Sequence, residues 1–238
     1  MSFLCFLIYF KEVVSLTVKF KILKTHNLSL TNSLLHHFVM ELRDIHLQNY
    51  GLRFRRNLER IGEILAYEMS KELNYATKVI DTPLGQKPME LIKDKLVLCS
   101  VLRAGIPLHQ GVLNYFDWIE NAFISAYRLH TSEEEFTIKV EYLAAPELNG
   151  KILILADPML ATGRSLVSVL DVLKTHGAPQ QIHIISVIAT QEGIDYVSKN
   201  FPENTQLWIA ALDPELNQHG YIVPGLGDAG DLSFGPKL

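Results

Sequence analysis

Lys151–Gly177 reads KILILADPMLATGRSLVSVLDVLKTHG, and three signals follow one another along it. Lys151 to Ala156 is an unbroken apolar run of strand length, the pattern of a parallel strand covered on both faces. It stops at Asp157-Pro158, and a short loop carries Thr162, Gly163 and Ser165. Leu166, Val169, Leu170 and Leu173 then recur at helical spacing. Lys174 and His176 in the last turn, Gly177 as a left-handed cap and Pro179 beyond it predict the end of that helix.

A strand, a loop and a helix in this order build an anion site. The first N–H groups of a helix lack internal partners, and the helix dipole adds partial positive charge there. Gly163 lets the backbone approach an anion closely, and the Thr162 and Ser165 hydroxyls add donors. Asp157 stands at the carboxyl end of the strand, where open α/β sheets bind ligands, placed to accept hydrogen bonds from sugar hydroxyls. The loop is not a P-loop, because no GxxxxGK[ST] surrounds Gly163. The chain's literal GxGxxG, Gly225-Leu-Gly227-Asp-Ala-Gly230, has only eight residues after it. That is too few for the helix, second strand and acidic residue of a dinucleotide site.

Working outward, 238 residues suit one α/β domain with room for a small subdomain, and 48% hydrophobic with 20% charged residues is a globular composition. A net charge of −4 gives no global attraction to nucleic acid or anionic lipid. Two cysteines, Cys5 and Cys99, exclude a disulfide framework and a thiolate metal site, and the nine histidines show no ligand spacing. Met1 to Phe10 is strongly apolar but too short to span a bilayer and lacks the flanks of a signal peptide. Residues 1–24 are therefore expected to lie outside a single domain of residues 25–238.

Within that domain, Thr31 or Asn32 is expected to cap a helix carrying Leu34, Leu35, Phe38 and Leu42. Leu58, Ile61, Ile64 and Leu65 stripe a second helix. Arg53, Arg55, Arg56 and Arg60 form a basic cluster on it, read as a solvated face, with a phosphate-effector or partner site as the alternative. Asp81–Gly85 is a turn, Lys95–Ser100 a buried strand running into Arg103-Ala-Gly105, and Asn121–Ala126 a third strand. Glu133–Glu135 is expected to be a charged turn, and Ile138, Val140 and Tyr142 an exposed ribbon strand. Gln181–Ala189 and Gln206–Leu212 are further strands, with a short helix from Ile194 to Lys199 between them. The alternation predicts a mostly parallel sheet flanked by helices.

Three blocks are now recognisable: Val101-Leu-Arg-Ala-Gly105, Asp157-Pro-Met-Leu-Ala-Thr-Gly163 with Ser165, and Tyr221-Ile-Val-Pro-Gly-Leu-Gly-Asp-Ala-Gly-Asp231 preceded by Leu216-Asn-Gln-His-Gly220. With them the chain resembles the uracil phosphoribosyltransferases from about Asn27 onward. The middle block is shared by phosphoribosyltransferases generally, and the last is particular to the uracil enzymes. The resemblance implies a phosphoribosyltransferase-type α/β fold with a small β-ribbon or hood. It implies transfer of phosphoribose from 5-phosphoribosyl-1-pyrophosphate (PRPP), bound with Mg²⁺, to uracil, giving UMP and pyrophosphate.

On matching positions, the resemblance places Asp157, Pro158, Met159, Leu160, Ala161, Thr162, Gly163, Arg164 and Ser165 around the ribose and 5′-phosphate. Arg103 and Arg128 fall on the pyrophosphate, and Ile222, Gly227, Asp228 and Ala229 on uracil. Asp228 also touches PRPP and is the candidate for removing the uracil proton. No protein ligand to the metal is expected, the Mg²⁺ being carried by PRPP. The resemblance further implies a cytoplasmic homodimer or higher oligomer, with GTP as a possible effector and with neither nucleic acid nor membrane as partner. Three positions depart from the family pattern: Arg164 where a small residue is common, Leu232 where many relatives carry arginine, and Ile106-Pro107 after Ala-Gly. Two other readings fit the same fold: an RNA-binding regulator of pyrimidine genes, which the acidic charge disfavours, and a transferase for another base, which the last block disfavours.

Overall fold

The computed structural model describes residues 23–130 and 136–237, with backbone alone for 126–130 and 136–140. In chain order the elements are β1 (Lys24–Asn27), α1 (Leu35–Arg43), α2 (Gly51–Ser70), β2 (Tyr75–Thr82), β3 (Gly85–Ile92), β4 (Leu96–Leu102) and α3 (Gly105–Leu113). Next come β5 (Glu120–His130), β6 (Phe136–Ala144), β7 (Ile152–Ala156), β8 (Met159–Leu160), α4 (Arg164–Leu173), β9 (Gln181–Thr190) and α5 (Gln191–Asn200). The chain closes with β10 (Thr205–Asp213), β11 (Glu215–Leu216), β12 (Ile222–Val223) and α6 (Ala229–Phe234).

Among the described residues, eight strands form one sheet in the order β1-β10-β9-β7-β4-β5-β6, with β8 alongside β9. Every pairing in it is parallel except β5 with β6. Its centre is apolar without interruption because both faces are covered. Ile152, Ile154 and Ala156 of β7 pack with Leu58, Ile61 and Leu65 of α2 on one side. Leu153 and Leu155 pack with Leu166, Val169 and Leu170 of α4 on the other. The side-chain period of two sends alternate residues of one strand into two different cores. Gly62 of α2 and Gly111 of α3 let those helices touch backbone to backbone: a Cβ on Gly111 would lie 2.0 Å from the Glu59 carbonyl oxygen.

The mostly parallel sheet and its flanking helices are as expected, and several local readings change. The N-cap of α1 is neither Thr31 nor Asn32 but Leu34, which offers no side-chain cap, and the Ser33 hydroxyl before it accepts the Leu35 N–H at 3.3 Å. Of the stretch expected to lie outside the domain, residues 1–22 lie outside the described residues, while Leu23 is buried and Lys24 opens β1 beside β10. The Asp81–Gly85 turn closes the β2–β3 hairpin, whose two arms alternate too weakly in hydropathy to announce themselves. The ribbon strand containing Tyr142 is β6, antiparallel to β5 at the edge of the main sheet. Helix α4 stops at Leu173, and a 3₁₀ turn carries the chain to Gly177 at φ +116°. The charged turn expected at 133–135 lies outside the described residues.

Beneath the β1 edge, Trp208 Nε1 donates to His183 Nδ1 at 3.1 Å, so the His183 proton sits on Nε2. That Nε2–H is buried without an acceptor among the described residues. Burial, the leading cause, pushes the imidazole down to about 4 from 6.5. The folded state therefore binds this proton more weakly than the unfolded state. The stability present above pH 6.5 drains away as pH falls towards 4, by roughly 3 kcal/mol in all. Urea midpoints at pH 7, 5.5 and 4 should show this slope, and His183→Gln should flatten it. An unchanged slope in that variant would refute the assignment.

Candidate active site

The loop after β7 is held from below. Ser186 Oγ donates to the Asp157 carbonyl at 2.6 Å, and Thr190 Oγ1 donates to the Ala161 carbonyl at 2.7 Å. The backbone N–H groups of Val187 and Ile188 both reach the Pro158 carbonyl at 3.0 Å. With these carbonyls turned toward β9, the loop presents its other edge outward. Gly163 stands at the head of α4 with φ +74°, and a Cβ there would lie 2.9 Å from the Gly193 carbonyl oxygen. Left-handed backbone and close approach both demand glycine at this position. Thr162 Oγ1 accepts the Arg164 N–H at 3.4 Å, and exposed Arg164 is the first residue of α4. Asp157 accepts the Met159 N–H at 3.2 Å through Oδ1.

The second loop leaves β4 through a cis Leu102–Arg103 peptide and enters α3. Gly105 is required by contact, since a Cβ there would meet Ser100 Oγ at 2.6 Å and the Ala156 carbonyl oxygen at 2.8 Å. Ile106-Pro107 falls in the first turn of α3, where proline costs no helical hydrogen bond. Arg103 Nη2 donates to Asp231 Oδ1 at 2.8 Å and to the Gly235 carbonyl at 3.2 Å. Its Nε–H is buried with no acceptor among the described residues, a donor in reserve for an anion. Of Arg128 only the backbone is described, paired with Ile138.

The C-terminal segment closes the site. Asp228 caps α6, its Oδ1 accepting the N–H of Gly230 at 2.8 Å and of Asp231 at 3.0 Å. Ile222 and Ala229 are buried, and Gly227 is exposed at φ +84°. Leu232, partly buried, packs on the core, 3.5 Å from where a Gly227 Cβ would stand.

A cavity of about 190 Å³ gathers these pieces: Arg103 and Ala104 from the β4 loop, Asp157, Met159 and Ser165 from the β7 loop, Asp228 and Gly230 from the C-terminal segment, and Lys237. A smaller one, of about 30 Å³, adjoins it along Asp157 and Met159–Gly163, sharing Asp157, Met159 and Ser165. Ile222, Gly227 and Ala229 flank Asp228 in the chain but do not themselves line this cavity. Lys237 escaped the sequence reading, since one lysine near a chain end carries no pattern. Asp231 lay inside the recognised block, yet only its contact shows it to hold Arg103.

The basic cluster on α2 is engaged within the chain. Arg53 pairs with Glu41 at 2.5 Å and Arg56 with Glu59 at 2.5 Å. Arg55 donates to the Ser233 carbonyl at 2.6 Å, and Arg60 donates to Asn57 at 3.0 Å and lies over the Phe38 ring. Hydrogen bonds from Arg53 and Asn57 hold the Glu41 carboxyl down to about 2. Arg53 and Arg56 are exposed and Arg55 and Arg60 partly buried, and each of the four has a partner within the chain.

A parallel sheet with an acidic strand end, a glycine-turned loop into a helix and an arginine loop beside it define a phosphoribosyltransferase-type α/β protein. The solved structure of a protein from Aquifex aeolicus shares the architecture, with a TM-score of 0.80 and 30% identity over 90% of this chain and 99% of that one. The family model for uracil phosphoribosyltransferase matches residues 29–236. The chain is 52% identical to the uracil phosphoribosyltransferase of Porphyromonas gingivalis over 89% of this chain and 98% of that one. It is 39% identical to that of Methanothermobacter thermautotrophicus over 76% and 83%. This chain belongs to the uracil phosphoribosyltransferase family.

Proposed function

We propose that the protein transfers the 5-phosphoribosyl group of PRPP to uracil, releasing UMP and pyrophosphate, as a cytoplasmic enzyme of pyrimidine salvage. The observation that carries the proposal is the meeting of Arg103, Asp157, Ser165 and Asp228 on one cavity. In the reaction the ribosyl C1–oxygen bond to pyrophosphate breaks, uracil N1 bonds to that carbon, and the N1 proton departs. Positive charge develops on the ribosyl carbon, so the protein must align the partners and stabilise the leaving anion. The Asp157–Ser165 loop and the head of α4 hold the 5′-phosphate, and Asp157 takes the ribose hydroxyls. Arg103 and Arg128 bind the pyrophosphate, with guanidinium forks suited to its oxygens. The segment from Ile222 to Ala229 presents backbone groups to the uracil edge, and the Asp228 carboxylate receives the N1 proton.

The donor set fits a cation that arrives on the diphosphate, because Asp157 and Asp228 offer hard oxygens in the same cavity as Arg103. Bound there, Mg²⁺ would withdraw charge from the leaving group.

The test is UMP formation from uracil, PRPP and Mg²⁺, beside cytosine, adenine and orotate. Asp228→Asn keeps the Oδ1 that caps α6, since asparagine is as good an N-cap, and removes only the charge. It should cut turnover by about 10²-fold, the usual contribution of a positioned base. Turnover with another base, or a fully active Asp228→Asn, would overturn the assignment. Arg164 is exposed and supplies no group the chemistry demands. Arg164→Gly should therefore retain kcat, with KM for PRPP raised no more than about threefold, the scale of one exposed charge. Loss of turnover in that variant would place Arg164 in the site.

We also infer a homo-oligomer formed through the β2–β3 hairpin. Among the described residues its arms pair only with each other, and Val79 and Leu84 are exposed on it, Leu84 completely. A two-stranded hairpin is marginal in water and needs a surface to pack on, here a second copy of this chain. Sedimentation of a Val79→Asp/Leu84→Asp variant should show dissociation. GTP titration of UMP formation decides whether that nucleotide acts as effector.

No described helix is long and apolar enough to cross a membrane.

A further inference from the structure

Outside the cavity, a buried ion pair grips one residue of the C-terminal segment from both sides. Arg43, the last residue of α1, donates to Asp213 at the end of β10 through both terminal nitrogens, at 2.8 and 2.5 Å. The Asp213 side chain is 5% exposed and that of Arg43 23%. Asp213 Oδ2 then accepts the Gly225 N–H at 3.0 Å, and Arg43 Nη1 donates to the Gly225 carbonyl at 2.9 Å. Both backbone polar groups of Gly225 are thus taken by one ion pair. Gly225 itself is a forced glycine, with φ +63° and its missing Cβ only 2.2 Å from the Ile222 carbonyl oxygen. Two further contacts come from the same N-terminal platform. Gln48, tied to the carbonyls of Leu42 and Arg43, comes within 3.8 Å of a Gly227 Cβ position, and Arg55 holds Ser233.

We infer that Arg43 and Asp213 are positioning residues for the base: through Gly225 they fix the height and twist of the segment that faces uracil. This rests on the reading of Ile222–Ala229 as the uracil segment. The physical reason is economy of constraint. A glycine-rich segment is conformationally loose, and a backbone edge that must match the carbonyls and N–H groups of a flat base tolerates little displacement. Neither Arg43 nor Asp213 lines the cavity, so they act on the base only through Gly225. In the proposed reading PRPP is held chiefly by the loops after β4 and β7, which the clamp does not touch, and Asp228 is the one residue of the clamped segment that also meets it. The clamp should therefore separate base binding from PRPP binding.

Removing one partner strands a buried charge and endangers the fold, whereas replacing both by apolar residues of similar volume commonly keeps it. The test is therefore Arg43→Met/Asp213→Leu beside Arg43→Lys, which retains the charge but not the fork. In the double variant KM for uracil should rise at least tenfold and KM for PRPP by less than threefold. Arg43→Lys should fall between the double variant and the wild type. Amide hydrogen exchange in residues 222–229 should quicken at least tenfold, with the central strands unchanged. A wild-type uracil KM with unchanged exchange, or KM values for uracil and PRPP rising together, would overturn the proposal. A wild-type protein that forms no UMP from uracil would defeat the functional reading instead, and hydrogen exchange would still decide whether the pair fixes the segment.

Discussion

Arg103→Ala should lower kcat/KM for PRPP by about 10²–10³-fold, the usual loss when one preorganised donor to a developing anion is removed. The protein should stay folded. Arg103 is 37% exposed and its partner Asp231 36%, and a pair so wetted contributes under about 1 kcal/mol. Activity and stability are therefore expected to part company, with the melting temperature shifting by only a few degrees. Arg103→Lys should recover part of the loss, because an ammonium keeps the charge but not the planar fork. The geometry sharpens the expectation. Nη2 is engaged by Asp231 and Gly235, while the buried Nε–H has no acceptor among the described residues. Steady-state kinetics with PRPP varied at saturating uracil would check this. An alanine variant with wild-type kcat/KM would remove Arg103 from the pyrophosphate site.

Gly111→Ala should destabilise the protein by roughly 3 kcal/mol or more, although alanine is the better helix former. Two effects oppose each other. In a free helix the substitution gains about 1 kcal/mol. Here the new Cβ would sit 2.0 Å from the Glu59 carbonyl oxygen and 3.0 Å from the Glu63 nitrogen, both backbone atoms of α2. Backbone cannot swing aside as a side chain can, so α2 and α3 must separate, and Leu58, Ile61, Leu108 and Val112 lose contacts in the same core. The steric term wins. For a chain of this length 3 kcal/mol corresponds to about 6–12 °C in melting temperature. Chemical denaturation checks the prediction, and a neutral or stabilised variant would mean that the helices part at no cost.

How much of this was legible in the chain depends on how local the signal is. The central strand–loop–helix unit was readable because each part has its own signature: an unbroken apolar run, an acidic stop, a glycine and a 3.6-residue stripe. Asp157, Ser165 and the Arg103 loop were readable for the same reason, whereas Asp228 was reached through the family resemblance, and the structure brings all four to one cavity. Helix α3 was not read, because Gly105 and Pro107 at its start and Gly111 within it are poor helix formers taken singly. Only its packing against α2 and β4 explains them. Strand β1 escaped because its four residues, Lys24 to Asn27, form no hydrophobic pattern, being the edge of a sheet whose neighbour β10 lies far along the chain. The ribbon strand β6 and the β2–β3 hairpin were half seen, as a strand without a sheet and a turn without arms.

By itself the sequence determined what nearest neighbours in the chain dictate. That covers the buried parallel strands, the glycine that turns the anion loop, and the blocks that mark the family. Tertiary structure alone decided which distant groups share a volume. Arg43 meets Asp213 across 170 residues and Arg103 meets Asp231 across 128; the first two are single charges with no local pattern around them, and the motifs that hold the second two do not say that they meet. Periodicity reports which face of an element is buried, because burial repeats with the helix or strand. It does not report which partner a lone polar side chain finds, because that is fixed by the packing of whole elements.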